Sequence, residues 1–395
     1  MNYFRKFIHS EQAGGFILLL CTITAMLLAN SEFAEYYFKL WEIKIGFIGN
    51  GFVFQKTLSH WVNDGLMSIF FLLIGLEIKR EFISGELSST QKAVLPGLAA
   101  VGGMIMPAII FALFNTGEPT ADGWGIPVAT DIALSLSVLS LIKGVPNSLR
   151  IFLVALAVAD DIGAIIVIAV FYSETIHLIY LAGAIIVFAL LLFMNRKKVL
   201  KLSWYLILGI VLWLMVLQTG IHTTIAGVIL AFTIPFNSEL DNSPLHKLES
   251  VLHSPVNFFV LPLFALANTG IIIQAGSLIA NLQSSESLGI ILGLLLGKPI
   301  GIIGAVFIAV LFKFAKLPDG TNIVQFLGIG LLCGIGYTMS IFITDLAYTD
   351  INMITNAKIA ILVASLIAGI VGYLLIFFTT HKKHPSDDLI AENND

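Results

Sequence analysis

Residues 155–170 read ALAVADDIGAIIVIAV and place two adjacent carboxylates, Asp160 and Asp161, inside an otherwise apolar run. A helix that crosses a membrane needs about 20 mostly apolar residues, and residues 151–172 meet that requirement. Because a charged side chain in such a helix is costly, its presence indicates a function. The stretch therefore predicts a membrane-spanning helix that carries a functional pair of aspartates.

The composition of the chain also indicates a membrane protein. Of the 395 residues, 57% are hydrophobic and 12% are charged, whereas a soluble domain carries roughly 25% charged residues. Cys21 and Cys333 both lie in apolar runs, so no disulfide is expected. The first apolar run, residues 14–30, lacks a clear cleavage site and is interpreted as a retained transmembrane helix.

Apolar runs of spanning length recur along the chain and predict an all-α polytopic membrane protein. Twelve spans are expected, at residues 14–30, 59–76, 93–114, 123–142, 151–172, 179–195, 204–219, 221–236, 256–273, 288–312, 324–345 and 357–379. Most of the 21 Lys and Arg residues fall in alternate connecting segments, which the positive-inside rule assigns to the cytoplasm. This alternation predicts that both termini are cytoplasmic.

Few residues remain for structure outside the membrane. Residues 1–379 are predicted to form a single transmembrane domain, followed by a flexible cytoplasmic tail at residues 380–395. In the long first outer loop, residues 44–54 read KIGFIGNGFVF, and Asn50-Gly51 between apolar residues predicts a hairpin. Its edge could pair with a second copy of the chain and form a homodimer, or the segment is only a connector.

The aspartate pair is suited to hold protons or a small cation. Two ionised carboxylates about 6 Å apart repel each other by roughly 3 kcal/mol at an effective dielectric constant near 20. A proton or a cation relieves this repulsion, so we expect Asp160 and Asp161 to bind one or the other. The alternative is a structural pair that is protonated and hydrogen-bonded to neighbouring helices.

Lys298, in the stretch LLLGKPIGI at residues 294–302, is a basic residue well inside a predicted span. A buried ammonium group needs a carboxylate partner, and Asp160 or Asp161 is the expected one. The alternative is an ion pair that only locks two helices together.

Two predicted spans contain features that interrupt a helix. Residues 124–142, WGIPVATDIALSLSVLSLI, place a proline before the polar pair Thr130 and Asp131, and residues 328–342, GIGLLCGIGYTMSIF, contain four glycines. Interruptions at corresponding places in two halves of a chain are typical of transporter binding sites, and their offset of seven spans predicts an inverted repeat. Asp131 would then compensate the positive ends of the interrupted helices, and Lys298 the negative ends. The alternative is that both motifs serve ordinary glycine-mediated helix packing.

The remaining candidate residues lie near helix ends or joints. Asp64 is near the outer end of the second span and His222 follows a tight joint, so structural roles are favoured for both. Asp345 is also near a helix end, where a solvated position is favoured. On the predicted cytoplasmic side a group of residues could tune proton uptake or form a solvated rim, and its members are Glu77, Glu81, Glu249 and His253.

Several stretches together resemble the NhaA-type sodium/proton antiporters of bacterial inner membranes. They are NDGLMSIFFLLIGLEIKRE (63–81), ATDIA (129–133), ALAVADDIGAI (155–165), GIHTTIAGV (220–228), LPLFALANTG (261–270), GKPIGI (297–302) and CGIGYTMSIFI (333–343). The resemblance covers nearly the whole chain. It implies twelve helices with inverted-topology repeats, in which discontinuous helices four and eleven cross.

The same resemblance implies electrogenic exchange of cytoplasmic sodium or lithium for external protons, with activation at alkaline pH and no cofactor. The matched functional positions are the cation- and proton-binding residues Asp161 and Asp160 with the polar pair Thr130 and Asp131, the lysine Lys298 that pairs with Asp160, and the pH-response residues Glu77, His222, Glu249 and His253. The hairpin matches the family's dimer contact. Thr223-Thr224 departs from the family pattern, which expects a smaller residue after His222.

Rival functions fit the residues less well. An intramembrane aspartyl protease would bring its two aspartates from separate helices, and a carrier of organic anions would need more intramembrane cations than Lys298. A passive channel needs no pair of broken helices, and no nucleic-acid partner or ATP site is expected. The sequence therefore predicts a lipid-embedded secondary active transporter, not an enzyme, whose loaded site alternates between the two membrane sides. Whether Lys298 or Asp160 carries the second proton stays open.

Overall fold

The computed structural model describes residues 11–49, 52–173, 176–236, 243–273, 276, 278–318 and 320–381. The helices are α1 Glu11–Ala29, α2 Ala34–Glu42, α3 Leu58–Ser84, α4 Thr90–Asn115, α5 Ile132–Ser140, α6 Asn147–Phe171, α7 Leu178–Arg196, α8 Leu202–Leu217, α9 Thr224–Thr233, α10 Pro244–Asn268, α11 Leu278–Leu282, α12 Ser285–Leu311, α13 Ile323–Cys333, α14 Tyr337–Ala347 and α15 Ile351–His381. A 3₁₀ helix, Ala121–Val128, precedes α5, and the two strands are β1 Lys44–Gly49 and β2 Phe52–Thr57.

The outer surface of the helical bundle is apolar. In the most apolar 18-residue stretch of α7, only 11% of the residues are buried within the protein. Large side chains of this helix, such as Ile179 and Ile186, are mostly exposed. A soluble protein rarely exposes apolar patches of this extent, whereas lipid tails cover them without cost. The chain is therefore a multi-pass membrane protein.

The number of spans is only partly established. Within the described ranges, nine helices are long and apolar enough to cross a membrane, and the pair α13 and α14, bent by 44°, makes up to ten. The predicted seventh and eighth spans coincide with α8 and α9, which have 16 and 10 residues and so fall short of the length that a straight span needs. Twelve spans and an inverted repeat stay predictions.

The segment between α2 and α3 contains a two-stranded antiparallel sheet. Strand β1 pairs with β2 in a register that sets Lys44 opposite Thr57 and Gly49 opposite Phe52. The predicted turn residues Asn50 and Gly51 lie outside the described residues, and a dimer contact through this sheet stays a prediction. Of the predicted tail, residues 382–395 also lie outside the described residues, and Thr380 and His381 belong to α15.

Glycines let α4 and α12 approach closely, and this contact holds the lysine-bearing helix in place. A Cβ atom at Gly301 would overlap the carbonyl oxygen of Gly102, and one at Gly297 would lie 2.7 Å from the Cα atom of Pro107. Small residues at helix contacts allow the backbones to pack together in a membrane, where no hydrophobic effect drives helices to associate.

We expect Gly301→Ala to destabilise the protein, because its methyl group forces α4 and α12 apart. Overpacking of this kind costs about 1–3 kcal/mol. Gly304→Ala on the same helix is the matched control, since no atom lies within 4 Å of the added Cβ atom. Thermal unfolding in detergent would measure both variants, and equal melting temperatures for the two would contradict the expectation.

Candidate functional site

Two helix interruptions meet at the centre of the site. The 3₁₀ helix ends at Val128, α5 begins at Ile132, and the segment between them is extended. Helix α13 ends at Cys333, and α14 begins at Tyr337 after three intervening residues. The backbone N–H of Asp131 donates a hydrogen bond of 2.7 Å to the carbonyl oxygen of Ile335. A backbone donor at one interruption thus pairs with a backbone acceptor at the other.

Hydroxyl groups satisfy the carbonyl oxygens at the end of α13. Thr130 Oγ1 donates to the carbonyl oxygen of Cys333 at 2.8 Å, and Ser135 Oγ donates to that of Leu332 at 2.8 Å. The hydrogen bond of Lys298 goes to the carboxylate of Asp160, and compensation of negative helix ends by its charge stays a prediction. The sequence analysis missed Ser135, whose only signal was a serine one turn after Asp131.

The carboxylate of Asp131 caps the N-termini of two half-helices. Its Oδ1 atom accepts a hydrogen bond from the backbone N–H of Leu134, in the first turn of α5, at 3.0 Å. Its Oδ2 atom accepts from the backbone N–H of Thr338, in the first turn of α14, at 3.0 Å, and from Thr338 Oγ1 at 2.5 Å. Asp131 is buried, so its hydrogen bonds to both helix ends form without competition from water.

Lys298 forms a buried ion pair with Asp160. Its Nζ atom lies 2.7 Å from Asp160 Oδ2, and both side chains are almost fully inaccessible to solvent. A π-helical turn, Gly293–Gly297, ends immediately before Lys298, and such turns are frequent at functional sites. The other oxygen, Asp160 Oδ1, is buried and accepts no hydrogen bond from the described part of the chain. The contact thus selects Asp160 from the two partners that the sequence left open.

Asp161 is buried next to this ion pair, yet its carboxylate is left without a partner. Within the described ranges it makes no hydrogen bond and no ion pair, although it interacts electrostatically with Asp160, Asp131, Glu77 and Lys298. Three of these four neighbours are acidic, so the surroundings of Asp161 favour a bound cation or proton. In the described residues no three His, Cys, Asp or Glu side chains converge as a resident metal site would require.

A cavity of about 350 Å³ lies between α1, α3, α5 and α10. Its charged or titratable lining consists of Glu77, Arg80, Glu249 and His253, and it extends to Ile132 and Ala133, directly after Asp131. Arg80 pairs with Glu249 at 2.6 Å and with Glu81 at 3.0 Å. Glu81 and Glu249 are largely buried, so they form a linked cluster with Arg80 and not a solvated rim, whereas His253 is exposed.

The sequence analysis missed Arg80, which holds this cluster together. The signal was available in the run Lys79-Arg80-Glu81 at the end of α3, because a buried carboxylate group requires a cation nearby.

His222 and Asp64 lie at the opposite end of α3 from that cluster. A ring nitrogen of His222 contacts the carbonyl oxygen of Tyr172, just after α6. Asp64 pairs with His60 at 2.8 Å and accepts a hydrogen bond of 3.0 Å from Thr223 Oγ1. Since Glu77 follows Asp64 by thirteen positions along α3, roughly 20 Å lies between the two groups. The structure therefore brings together three of the four predicted pH-response residues and leaves His222 apart.

Comparison with known proteins identifies relatives over nearly the whole length of the chain. Residues 5–376 match the family described as Na⁺/H⁺ antiporter 1. The Na⁺/H⁺ antiporter NhaA of Cytophaga hutchinsonii is 48% identical over 390 residues, which cover 98% of each chain. Na⁺/H⁺ antiporter NhaA 2 of Clostridium beijerinckii is 47% identical over 97% of this chain and 96% of its own length. The Na⁺/H⁺ antiporter NhaA of Haemophilus ducreyi is 45% identical over 96% of this chain and 97% of its own length.

Removal of the Asp131 carboxylate should destabilise both half-helices. We expect Asp131→Ala to lose about 1–4 kcal/mol of stability, the sum of two helix caps, and Asp131→Asn to lose less because its amide oxygen still accepts a hydrogen bond. Asp122→Ala is the control, since Asp122 is exposed at the start of the 3₁₀ helix. Thermal unfolding in detergent would test this, and an alanine variant as stable as the control would contradict it.

The ion pair between Lys298 and Asp160 should show strong coupling in a double-mutant cycle. Lys298→Met or Asp160→Leu alone leaves one buried charge without its partner, which costs about 3–5 kcal/mol. The double variant removes both charges, so we expect it to be more stable than either single variant. Melting temperatures of the four proteins measure the coupling, and additive losses would argue against it.

Proposed function

The chain belongs to the Na⁺/H⁺ antiporter 1 family, the NhaA-type sodium/proton antiporters, and on that premise we propose that it exchanges cytoplasmic sodium or lithium ions for external protons. The observation that carries the proposal is the family match over residues 5–376, which includes the buried aspartate pair. The protein is then a secondary active transporter and not an enzyme. Its cargo is Na⁺ or Li⁺ and H⁺, and no cofactor takes part.

In this proposal, Asp160 and Asp161 bind the transported sodium ion. The support for Asp161 is its free carboxylate, because small hard cations prefer oxygen ligands and Asp161 has no competing donor among the described residues. The carboxylates of Asp160 and Asp161 bind either the cation or protons, so the two cargoes compete for one site. Thr130 and Asp131 shape the cavity by holding the two interruptions together.

Lys298 has an exchange role in the proposed cycle. When sodium binds, Asp160 turns from the ammonium group of Lys298 towards the ion, and it returns when sodium leaves. Either Lys298 or Asp160 then carries a proton in addition to that of Asp161. If one sodium ion displaces more than one proton, each cycle moves net charge, so the exchange is electrogenic.

Alternating access couples the two fluxes. The cavity lined by Glu77 and Glu249 supplies a route from the cytoplasmic side to the aspartates. A site loaded with a cation or with protons switches to the outer side, whereas an empty site leaves uncompensated charges in a low-dielectric interior. Empty sites therefore do not cross, and sodium leaves only in exchange for protons.

We assign activation at alkaline pH to the charged cluster in the cytoplasmic cavity. Glu77, Glu249 and His253 share this cavity with Arg80, and Glu81 pairs with the same guanidinium group. A change in protonation of any member alters the field along the route that cations follow to the site. His222 would act separately, through the outer end of α6, and Asp64 and its partner His60 have an accessory role there.

The cellular setting follows from the same family membership. We propose a multi-pass location in the bacterial inner membrane with both termini in the cytoplasm. The partners would be membrane lipid and a second copy of the chain, joined through the hairpin at residues 44–54, with no nucleic acid involved.

Everted membrane vesicles with an acidified lumen test the transport reaction. Addition of sodium to wild-type vesicles should collapse the pH gradient, and Asp161→Asn should reduce the rate to that of vesicles without the protein. The control is Asp122→Asn, which changes an exposed carboxylate away from the site and should retain activity. Equal collapse by potassium, or full activity of Asp161→Asn, would contradict the assignment.

A further inference from the structure

A second buried carboxylate–lysine pair lies away from the transport site. Asp345, near the end of α14, lies 2.7 Å from Lys358 of α15, and their side chains are only 16% and 10% exposed. The solvated position expected for Asp345 from the sequence is thus wrong, because α15 covers this part of α14. The remaining oxygen, Asp345 Oδ2, is buried and accepts no hydrogen bond within the described ranges.

This pair repeats the arrangement of Asp160 and Lys298. In both pairs the ammonium group lies 2.7 Å from one carboxylate oxygen, and the other oxygen is buried and unpartnered. A buried ion pair of this kind contributes little net stability, because desolvation of the charges offsets their attraction. A carboxylate with a bare oxygen can instead accept a proton when it releases the lysine.

A cavity of about 620 Å³ adjoins Lys358. Its lining is mixed, and the amide and hydroxyl side chains among the apolar ones are Asn268, Asn281, Asn352, Thr355 and Asn356. Helix α10 relates this cavity to the cytoplasmic one, since Glu249 lies near its start and Asn268 at its end. The cavity beside Lys358 is therefore on the opposite, outer side of the bundle.

Helix α14 connects the pair to the transport site. Asp345 follows Thr338 by seven residues, so the two side chains lie on the same helix face about 10 Å apart. Thr338 donates two hydrogen bonds to Asp131. The elements packed against α14 include the 3₁₀ helix, α15 and the end of α10, and on their described residues Lys358 is the charged group that interacts with Asp345.

We propose that Asp345 and Lys358 form a second proton-exchange pair, which collects protons from the outer cavity and delivers them towards the transport site. Lys358, which borders that cavity, moves away from Asp345 as an ammonium group, and a proton from the outer side adds to the uncovered carboxylate. The neutral carboxyl then releases its proton in the direction of Thr338 and Asp131, and the ion pair forms again. This inference rests on the proposed sodium/proton exchange and adds a separate outer step to it.

Purified protein in proteoliposomes tests the outer step. Sodium-dependent proton flux is measured with the pH of the cytoplasmic side fixed and the pH of the outer side varied, for wild type, Asp345→Asn, Asp345→Glu and Lys358→Met. Glu35→Gln is the matched control, because the Glu35–Lys39 ion pair of 2.6 Å lies in the outer loop but is exposed. Each variant is also checked for its melting temperature and for the KM of sodium.

We expect Asp345→Asn to need about tenfold more outer protons for half-maximal flux, with a KM for sodium within about twofold of wild type. Lys358→Met should also shift the dependence on outer pH, Asp345→Glu should restore the wild-type curve, and Glu35→Gln should leave it unchanged. An unshifted curve in Asp345→Asn, whether or not its melting temperature or maximal rate falls, would overturn the inference and leave the pair a structural one. A wild-type protein without sodium/proton exchange would overturn the proposed function itself, and the inference with it.

Discussion

The loss of helical hydrogen bonds at two interruptions, deep in a membrane protein, is the constraint on which the rest of the site depends. Water is scarce at that depth, so every freed N–H and C=O group must find a partner inside the protein. The two interruptions supply partners for each other through Asp131, Thr130 and Ile335. Because these bonds are reciprocal, neither half-helix can shift without disturbing the other.

The same constraint explains why the acidic residues have different environments. Asp131 receives three hydrogen bonds and is committed to two helix ends, whereas Asp161 receives none from the described residues. Asp160 is intermediate, with one oxygen on Lys298 and one bare. The number of hydrogen bonds to each carboxylate thus distinguishes Asp131, which stabilises the two interruptions, from Asp160 and Asp161, which have oxygens free to bind a transported ion.

Charged groups away from the interruptions are grouped at the two ends of the bundle. The Arg80 cluster lies at one end of α3, and the His60–Asp64 pair lies at the other. Close glycine contacts between α4 and α12 keep Lys298 between these ends. In the proposed exchange, each side of the membrane thus has its own titratable groups, and the aspartates are reached from one side at a time.

The sequence alone determined that the chain is a bundle of apolar helices. It also determined that these helices contain four ionisable residues within their apolar segments, Asp131, Asp160, Asp161 and Lys298. Hydropathy and the position of a charge within an apolar run are local properties, so they can be read without a structure. The partners of those charges could not be read in this way. Lys298 is 138 residues from Asp160 and Thr338 is 207 residues from Asp131, and only the packing of distant helices decides such contacts. Tertiary packing also placed His222 far from Glu77 and brought Arg80 and Ser135 into contact with the site residues. It buried Asp345 against Lys358, because the burial of a helix end depends on which neighbouring helix covers it.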